Sequence, residues 1–322
     1  MMVQPKNLNS VAACKAGFKE VFTALTRKHS FAEVWADFAT LGAICAHQSA
    51  YFNPAMVRSE MADHPEVVKA RESLLPIDDA WQALEDRYMA FVPKYGKEGM
   101  TLMSQLYGYT DYALNVFGDD FLGPLYEELE LSGSSQRGSR GEFFTPASVA
   151  KMMAQMSLAD VEDIIDRKGF VTVPEPCCGA GGMVIAFAHA LKELGHSPQE
   201  ILYVEAIDVN QTFFNVAYMQ LALLGLPARV WCANTLSLEV TEFRESPLLK
   251  LSRYHWEKRP EFHLLRFLKQ MEAEEGQELL DEPDPIEARM DKAEGIAVPA
   301  EVKPIPMPTQ FEQDGSGQFR LF

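Results

Sequence analysis

The chain has 322 residues, of which 47% are apolar and 23% charged. That is about two domains' worth of ordinary globular composition, which excludes wholesale disorder. No window approaches the ~18 apolar residues of a membrane span, and the first residues lack the basic and then apolar pattern of a secretory leader. Five cysteines (Cys14, Cys45, Cys177, Cys178, Cys232) form no CxxC pair. They point to reduced thiols in a cytoplasmic protein, with neither a disulfide framework nor a metal site. The net charge of −17 argues against coating nucleic acid by bulk electrostatics. Residues 270–322 hold 13 acidic and 4 basic side chains, so the rest of the chain is only mildly acidic and leaves room for a local DNA-binding face.

Residues 1–130 read as a helical N-terminal domain. Apolar side chains recur at three- and four-residue spacing through Phe18, Val21, Phe22 and Leu25, and again through Trp81, Leu84, Tyr88 and Phe91. Prolines 65, 76 and 93 punctuate them. A polar, glycine-rich loop over 132–146 leads into a helix start. Thr145 suits the cap, Pro146 the first turn, and Val149, Met152, Met153 and Met156 one face of the helix.

Then the period changes. A buried strand at 170–173 runs into a glycine turn and a helix over 183–194. A second strand at 201–207 is followed by a helix over 212–224, and a third strand covers 228–232. Strand–helix–strand–helix–strand predicts a parallel sheet with right-handed crossovers. The expected fold is therefore α/β, a truncated Rossmann-like parallel sheet of about three strands within 131–240, preceded by the helical domain. Residues 241–270 read as a basic and aromatic helical extension. A solvated packing helix is the plainer account of it, and a nucleic-acid surface the sharper one. Residues 271–322 are too poor in apolar side chains to order themselves.

The chemistry sits where the first strand meets its helix, in Val173-Pro-Glu175-Pro-Cys-Cys-Gly179-Ala-Gly181-Gly182. Glycines let backbone N–H groups approach a ligand, and a helix N-terminus favours negative charge. Val184 occupies the third glycine position of a dinucleotide fingerprint, which counts against NAD or FAD. Asp208, at the end of the second strand, suits a pair of ribose hydroxyls, although an Asp or Asn before Thr212 also serves as a helix N-cap. Asn234 closes the third strand, where its amide could read an adenine edge.

With these elements in place the chain resembles N6-adenine DNA methyltransferases, most of all the modification subunit of type I restriction–modification systems and its shorter phage and plasmid relatives. The resemblance rests on the Phe143-Phe144-Thr145-Pro146 box, the glycine turn, Asp208 and Asn234-Thr-Leu236. The segments Phe121-Leu-Gly-Pro-Leu-Tyr-Glu-Glu-Leu-Glu130 and Ala217-Tyr-Met-Gln-Leu-Ala-Leu-Leu-Gly225 support it. It covers roughly residues 115–239. The resemblance implies S-adenosylmethionine as cofactor. Phe143, Phe144, Thr145 and Pro146 would flank its methionine part, and Gly179, Gly181 and Gly182 would approach by backbone. Glu175 replaces the family's Asp with one more methylene, Asp208 would hold the ribose, and Asn234 replaces an Asp near the adenine. DNA is the implied partner, together with a further methyltransferase or specificity subunit.

The family performs its chemistry with an Asn-Pro-Pro-aromatic motif that grips a flipped base. No such tetrapeptide occurs here, so no catalytic residue is assigned. After Asn234, 88 residues follow, too few for the family's remaining repeats at about 30 residues each. The first strand is then expected to leave an edge to be covered by the N-terminal helices, by residues 241–269 or by a partner. Finally, Gln318-Phe319-Arg-Leu321-Phe322 resembles the peptides by which bacterial proteins dock on the DNA sliding clamp. Leu321 and Phe322 would fill an apolar pocket and Gln318 would set the register, at the end of a flexible leash.

Overall fold

The computed structural model describes residues 8–52, 79–133, 144–237 and 239–249. The expectations for Phe143, for residues 251–270 and for the whole 271–322 segment with its clamp-like peptide lie outside the described residues. In chain order the elements are α1 (Val11–Thr26), α2 (Phe31–Phe52), α3 (Asp79–Met89), α4 (Val92–Phe117), α5 (Leu122–Gly133), α6 (Ala147–Met156) and α7 (Val161–Lys168). Then follow β1 (Val171–Glu175), α8 (Gly182–Glu193), α9 (Pro198–Ile201), β2 (Leu202–Asp208), α10 (Gln211–Leu223), β3 (Ala228–Asn234) and β4 (Glu239–Glu245).

The sheet order is β1-β2-β3-β4. β1 and β2, and β2 and β3, pair in parallel, with Val173 opposite Val204 and Ala206 opposite Val230. The strand–helix–strand reading of 170–234 thus holds. β4 is a correction. Residues 241–245, expected to begin a helix, instead pair antiparallel to β3 through a two-stranded hairpin. The period-2 run Val240-Thr-Glu242-Phe-Arg244, joined to β3 by a short turn, favours the strand. The Asn234 side-chain oxygen fastens that turn by accepting from Leu236 N (3.0 Å) and Ser237 N (3.2 Å). This strand therefore covers the β3 edge and not the β1 edge.

Alternation along the strands makes two unlike faces. Leu202, Val204, Ala206, Ala228 and Val230 are completely buried on the face that carries α8 and α10. The opposite face is polar and aromatic. Arg229 pairs with Glu245 (2.6 Å) and Glu205 (3.6 Å), Trp231 Nε1 donates to Glu205 (2.6 Å), and the Arg229 guanidinium lies 5.4 Å from the Trp231 ring. Charges and rings thus form a cross-strand ladder that satisfies its own polar groups around the buried Trp231.

α10 is buried nearly all round, from Phe213 to Ala222. It lies between the sheet and α2, whose Gly42 lets the helices approach so closely that a Cβ there would collide with Met219. One core cluster runs from Phe18 and Trp35 through Leu122 and Leu125 to Phe214 and Val204. α6 departs from the expectation in two respects. Pro146, not Thr145, occupies its N-cap position, and no side chain caps it. Its packed residues are Ala150 and Ala154, while Val149, Met152, Met153 and Met156 are exposed. The small Ala-x-x-x-Ala stripe lets α6 lie close on α8, which turns the bulky residues outward.

Among the described residues β1 pairs with β2 alone. Val204 N donates to Pro227 O and Cys178 N donates to Ile207 O, which fixes the alternation. Val171, Val173 and Glu175 point their backbone groups at β2, so Thr172 and Pro174 point theirs outward. Pro174 has no N–H to offer there. A proline on an outward position is a device that discourages strand addition. Pro174→Val restores a donor to this edge and is expected to increase self-association. Size-exclusion chromatography with light scattering over a concentration series checks this, and an unchanged mass refutes it.

Candidate functional site

The carboxyl ends of the three parallel strands bring most of the sequence-derived residues together, because each strand delivers its last side chain to the same edge of the sheet. After β1 the chain turns through Pro176–Gly181. Gly179 (φ +53°) and Gly181 (φ +90°) occupy left-handed conformations. Gly181 N donates to Cys178 O at 2.8 Å, which closes the turn immediately before α8.

Asp208 reaches across from β2. One carboxylate oxygen accepts from Gly179 N (2.8 Å) and the other from Asn210 N (2.8 Å). Asn210, not Asp208, caps α10 by accepting from Thr212 N (2.9 Å). Of the two carboxylate or amide candidates before Thr212, Asn210 is therefore the cap. The remaining lone pairs of Asp208 are free to accept from ligand hydroxyls. The Gly179 N–H is already engaged by Asp208, so its contribution to a ligand is shape. Glu175 accepts from Cys177 N (3.3 Å) through one oxygen.

Asn234 joins the turn indirectly, through Thr235 Oγ1, which donates to Pro176 O at 2.6 Å. Both lone pairs of the Asn234 oxygen serve the β3–β4 turn, so its NH2 donor is what remains for a ligand. Val209 and Leu236, next to these two polar residues, are 70% and 96% exposed. They are exposed apolar side chains beside these polar residues that sequence reading did not single out.

Phe144 leads the chain in from the other side. Its N–H donates to Glu127 Oε1 (3.2 Å), and its ring meets Phe213 (5.1 Å) and Tyr126 (6.0 Å) edge to face. The same ring lies over Gly179, where an added Cβ would stand 2.9 Å from Cε1. Thr145 and Pro146 follow, exposed. The Cys178 thiol is pushed well up by burial and by the neighbouring Asp208 and Glu175 carboxylates, so it stays protonated and serves packing rather than nucleophilic chemistry.

Three polar residues were not assigned a role from sequence: Asp120, Glu127 and Gln220. The last two lie inside the segments that carried the family resemblance, and Gln220 is the lone amide in an apolar helical run, which was the available signal.

Parallel strands with a glycine turn after the first and an acid after the second have the layout of half of a Rossmann-like fold. Residues 118–248 match the family described as N-6 DNA Methylase. No protein of curated function matches the chain. The crystal structure of the type I restriction-modification system methyltransferase subunit from Streptococcus thermophilus is similar over 68% of this chain and 57% of that one, with 15% sequence identity and a TM-score of 0.38. This chain therefore spans a little over half the length of that subunit.

The turn itself gives the sharpest test of the site's geometry. Gly181→Ala meets only ordinary contacts, the nearest being Ala217 at 3.7 Å, so its penalty is that of a left-handed alanine. A loss of about 1–2 kcal/mol is expected, read from the urea midpoint. No loss would mean that the turn does not hold this conformation in solution.

Proposed function

We propose that the chain binds S-adenosylmethionine at the glycine turn and acts on DNA as a unit of the adenine-N6 methyltransferase family. The observation that carries this reading is the meeting of Phe144, Gly179 and Asp208 at one point, from segments 29 to 64 residues apart in sequence. The donor set suits the ligand. Asp208 keeps lone pairs for the two ribose hydroxyls, Glu175 adds negative charge suited to an ammonium group, and Val209 and Leu236 offer apolar surface to a base. Thr145 and Pro146 line the approach, Gly181 and Gly182 open the start of α8, and the Asn234 amide donates to an acceptor on the base. S-adenosylmethionine supplies an activated methyl group on a sulfonium. This chain's residues bind and orient it beside the target amine.

A second reading is favoured by one sequence fact: no Asn-Pro-Pro-Phe or Asn-Pro-Pro-Tyr occurs. In it the chain is an accessory protein that keeps the cofactor pocket without the base-gripping loop, drawn to DNA by Gln318, Phe319, Leu321 and Phe322 docking on a sliding clamp. In the first reading a further methyltransferase or specificity subunit contributes the missing loop. Both readings place the protein in the cytoplasm.

Calorimetry is expected to show micromolar S-adenosylmethionine binding that Asp208→Asn weakens at least about tenfold, the scale of one charged hydrogen bond. Absence of heat with the wild-type chain overturns both readings. Labelled methyl transfer to unmethylated DNA by the chain together with its co-purifying subunit separates them: incorporation supports the enzyme, and a blank across varied sequences leaves the accessory role. Deleting residues 318–322 is expected to abolish co-elution with the clamp, and unchanged co-elution removes the tether.

A further inference from the structure

Gln220 is a completely buried amide on α10, and every hydrogen-bonding position it has is used. Nε2 donates to Asp120 Oδ1 (2.8 Å) and to Ala180 O (2.8 Å), while Oε1 accepts from Phe121 N and Leu122 N (3.0 Å each). Ala180 lies inside the glycine turn, between its two left-handed residues. Phe121 and Leu122 begin α5, the helix whose Glu127 and Tyr126 hold Phe144. One side chain therefore joins the turn to the helix that orients the ring lying over it.

Asp120 completes the joint. Its Oδ1 also accepts from Gly123 N (3.0 Å). Its Oδ2 abuts the first residue of α8, since a Cβ on Gly182 would stand 2.8 Å away. The carboxylate thus lies at the starts of two helices, where backbone N–H dipoles favour it. Burial pushes the Asp120 carboxyl up, and the Gln220 amide and Gly123 N–H draw it back.

We propose that Gln220 and Asp120 are positioning residues of the cofactor turn, fixing Ala180 and Gly182 so that the helical part of the chain sets the shape of the site. The proposal rests on reading that turn as the ligand site, but its first measurement needs no ligand. Packing alone does not explain the arrangement, because an apolar residue of similar volume would fill the space without linking Ala180 O to α5. A half-satisfied amide here would cost more than no amide. A fully paired one satisfies Phe121 N, Leu122 N and Ala180 O together, which couples the turn to the start of α5.

The test is hydrogen exchange on the full chain, read at residues 179–185 and, as an internal reference, at α1. Gln220→Glu keeps the acceptor toward Phe121 and Leu122 but sets a carboxylate against Asp120 and Ala180 O. Exchange at 179–185 is expected to rise by about tenfold or more, with α1 unchanged; a lost hydrogen bond accounts for that scale. Adding Asp120→Asn supplies an amide donor facing the introduced carboxylate and is expected to bring the exchange part of the way back. Equal acceleration in α1 and in the turn, or no change in the turn, overturns the proposal. So does a double variant no better than the single one. The same variants in calorimetry are expected to weaken S-adenosylmethionine in the same order. If the wild-type chain binds none, the cofactor reading fails while the exchange result still decides the role of these two residues.

Discussion

Everything at the carboxyl edge of the sheet depends on how the turn between β1 and α8 satisfies its backbone. Two glycines in left-handed conformations leave N–H and C=O groups that no helix or strand ladder accepts, and a turn with unpaired polar groups would not persist at a half-buried site. Asp208 closes it from β2 by taking Gly179 N, and Gln220 closes it from α10 by giving to Ala180 O. The Ile207 carbonyl takes Cys178 N between them. With three anchors from two elements, the turn is fixed by the protein's own groups.

The helical half of the chain is part of this arrangement. α2 presses α10 onto the sheet, and α5 holds Phe144 through Glu127 and Tyr126. The His189 imidazole also meets the Gly118 carbonyl at 2.7 Å, linking α8 to the end of α4. A sheet of three short parallel strands buries little by itself. Here the crossover helices α8 and α10 form the second layer, and α2, which precedes the sheet in sequence, packs over α10. On the other face of the sheet Glu205, Arg229 and Glu245 pair across the strands beside the buried Trp231. Among the described residues the first strand ends the sheet, with Pro174 turned outward.

The strands, the two helices between them and the glycine turn were legible because local patterns specify them: period-2 apolar runs, glycines at the turn and an acid at the strand end. What sequence reading missed has a common cause. β4 shares its alternating composition with a basic, aromatic stretch that fits a helix equally well, and only pairing with β3 decides between them. The methionine face of α6 looked like a packing face, yet Ala150 and Ala154 pack instead, because the neighbour that α6 meets demands close approach. Thr145 had the chemistry of a cap, but the chain enters α6 at Pro146, one residue too late for its hydroxyl.

The sequence by itself determined the class of fold, the place of the turn and the acids that serve it, since these follow from the conformational limits of glycine and proline and from the periodicity of apolar side chains. Only the tertiary structure decided what those residues are bonded to. Asp208 engages Gly179, Asn234 spends its oxygen on a hairpin, and Gln220 ties together Ala180, Asp120, Phe121 and Leu122 across 40 to 100 positions of chain. Hydrogen bonds between distant segments leave no local pattern, because any residue of the right chemistry can make them once the packing brings it within reach.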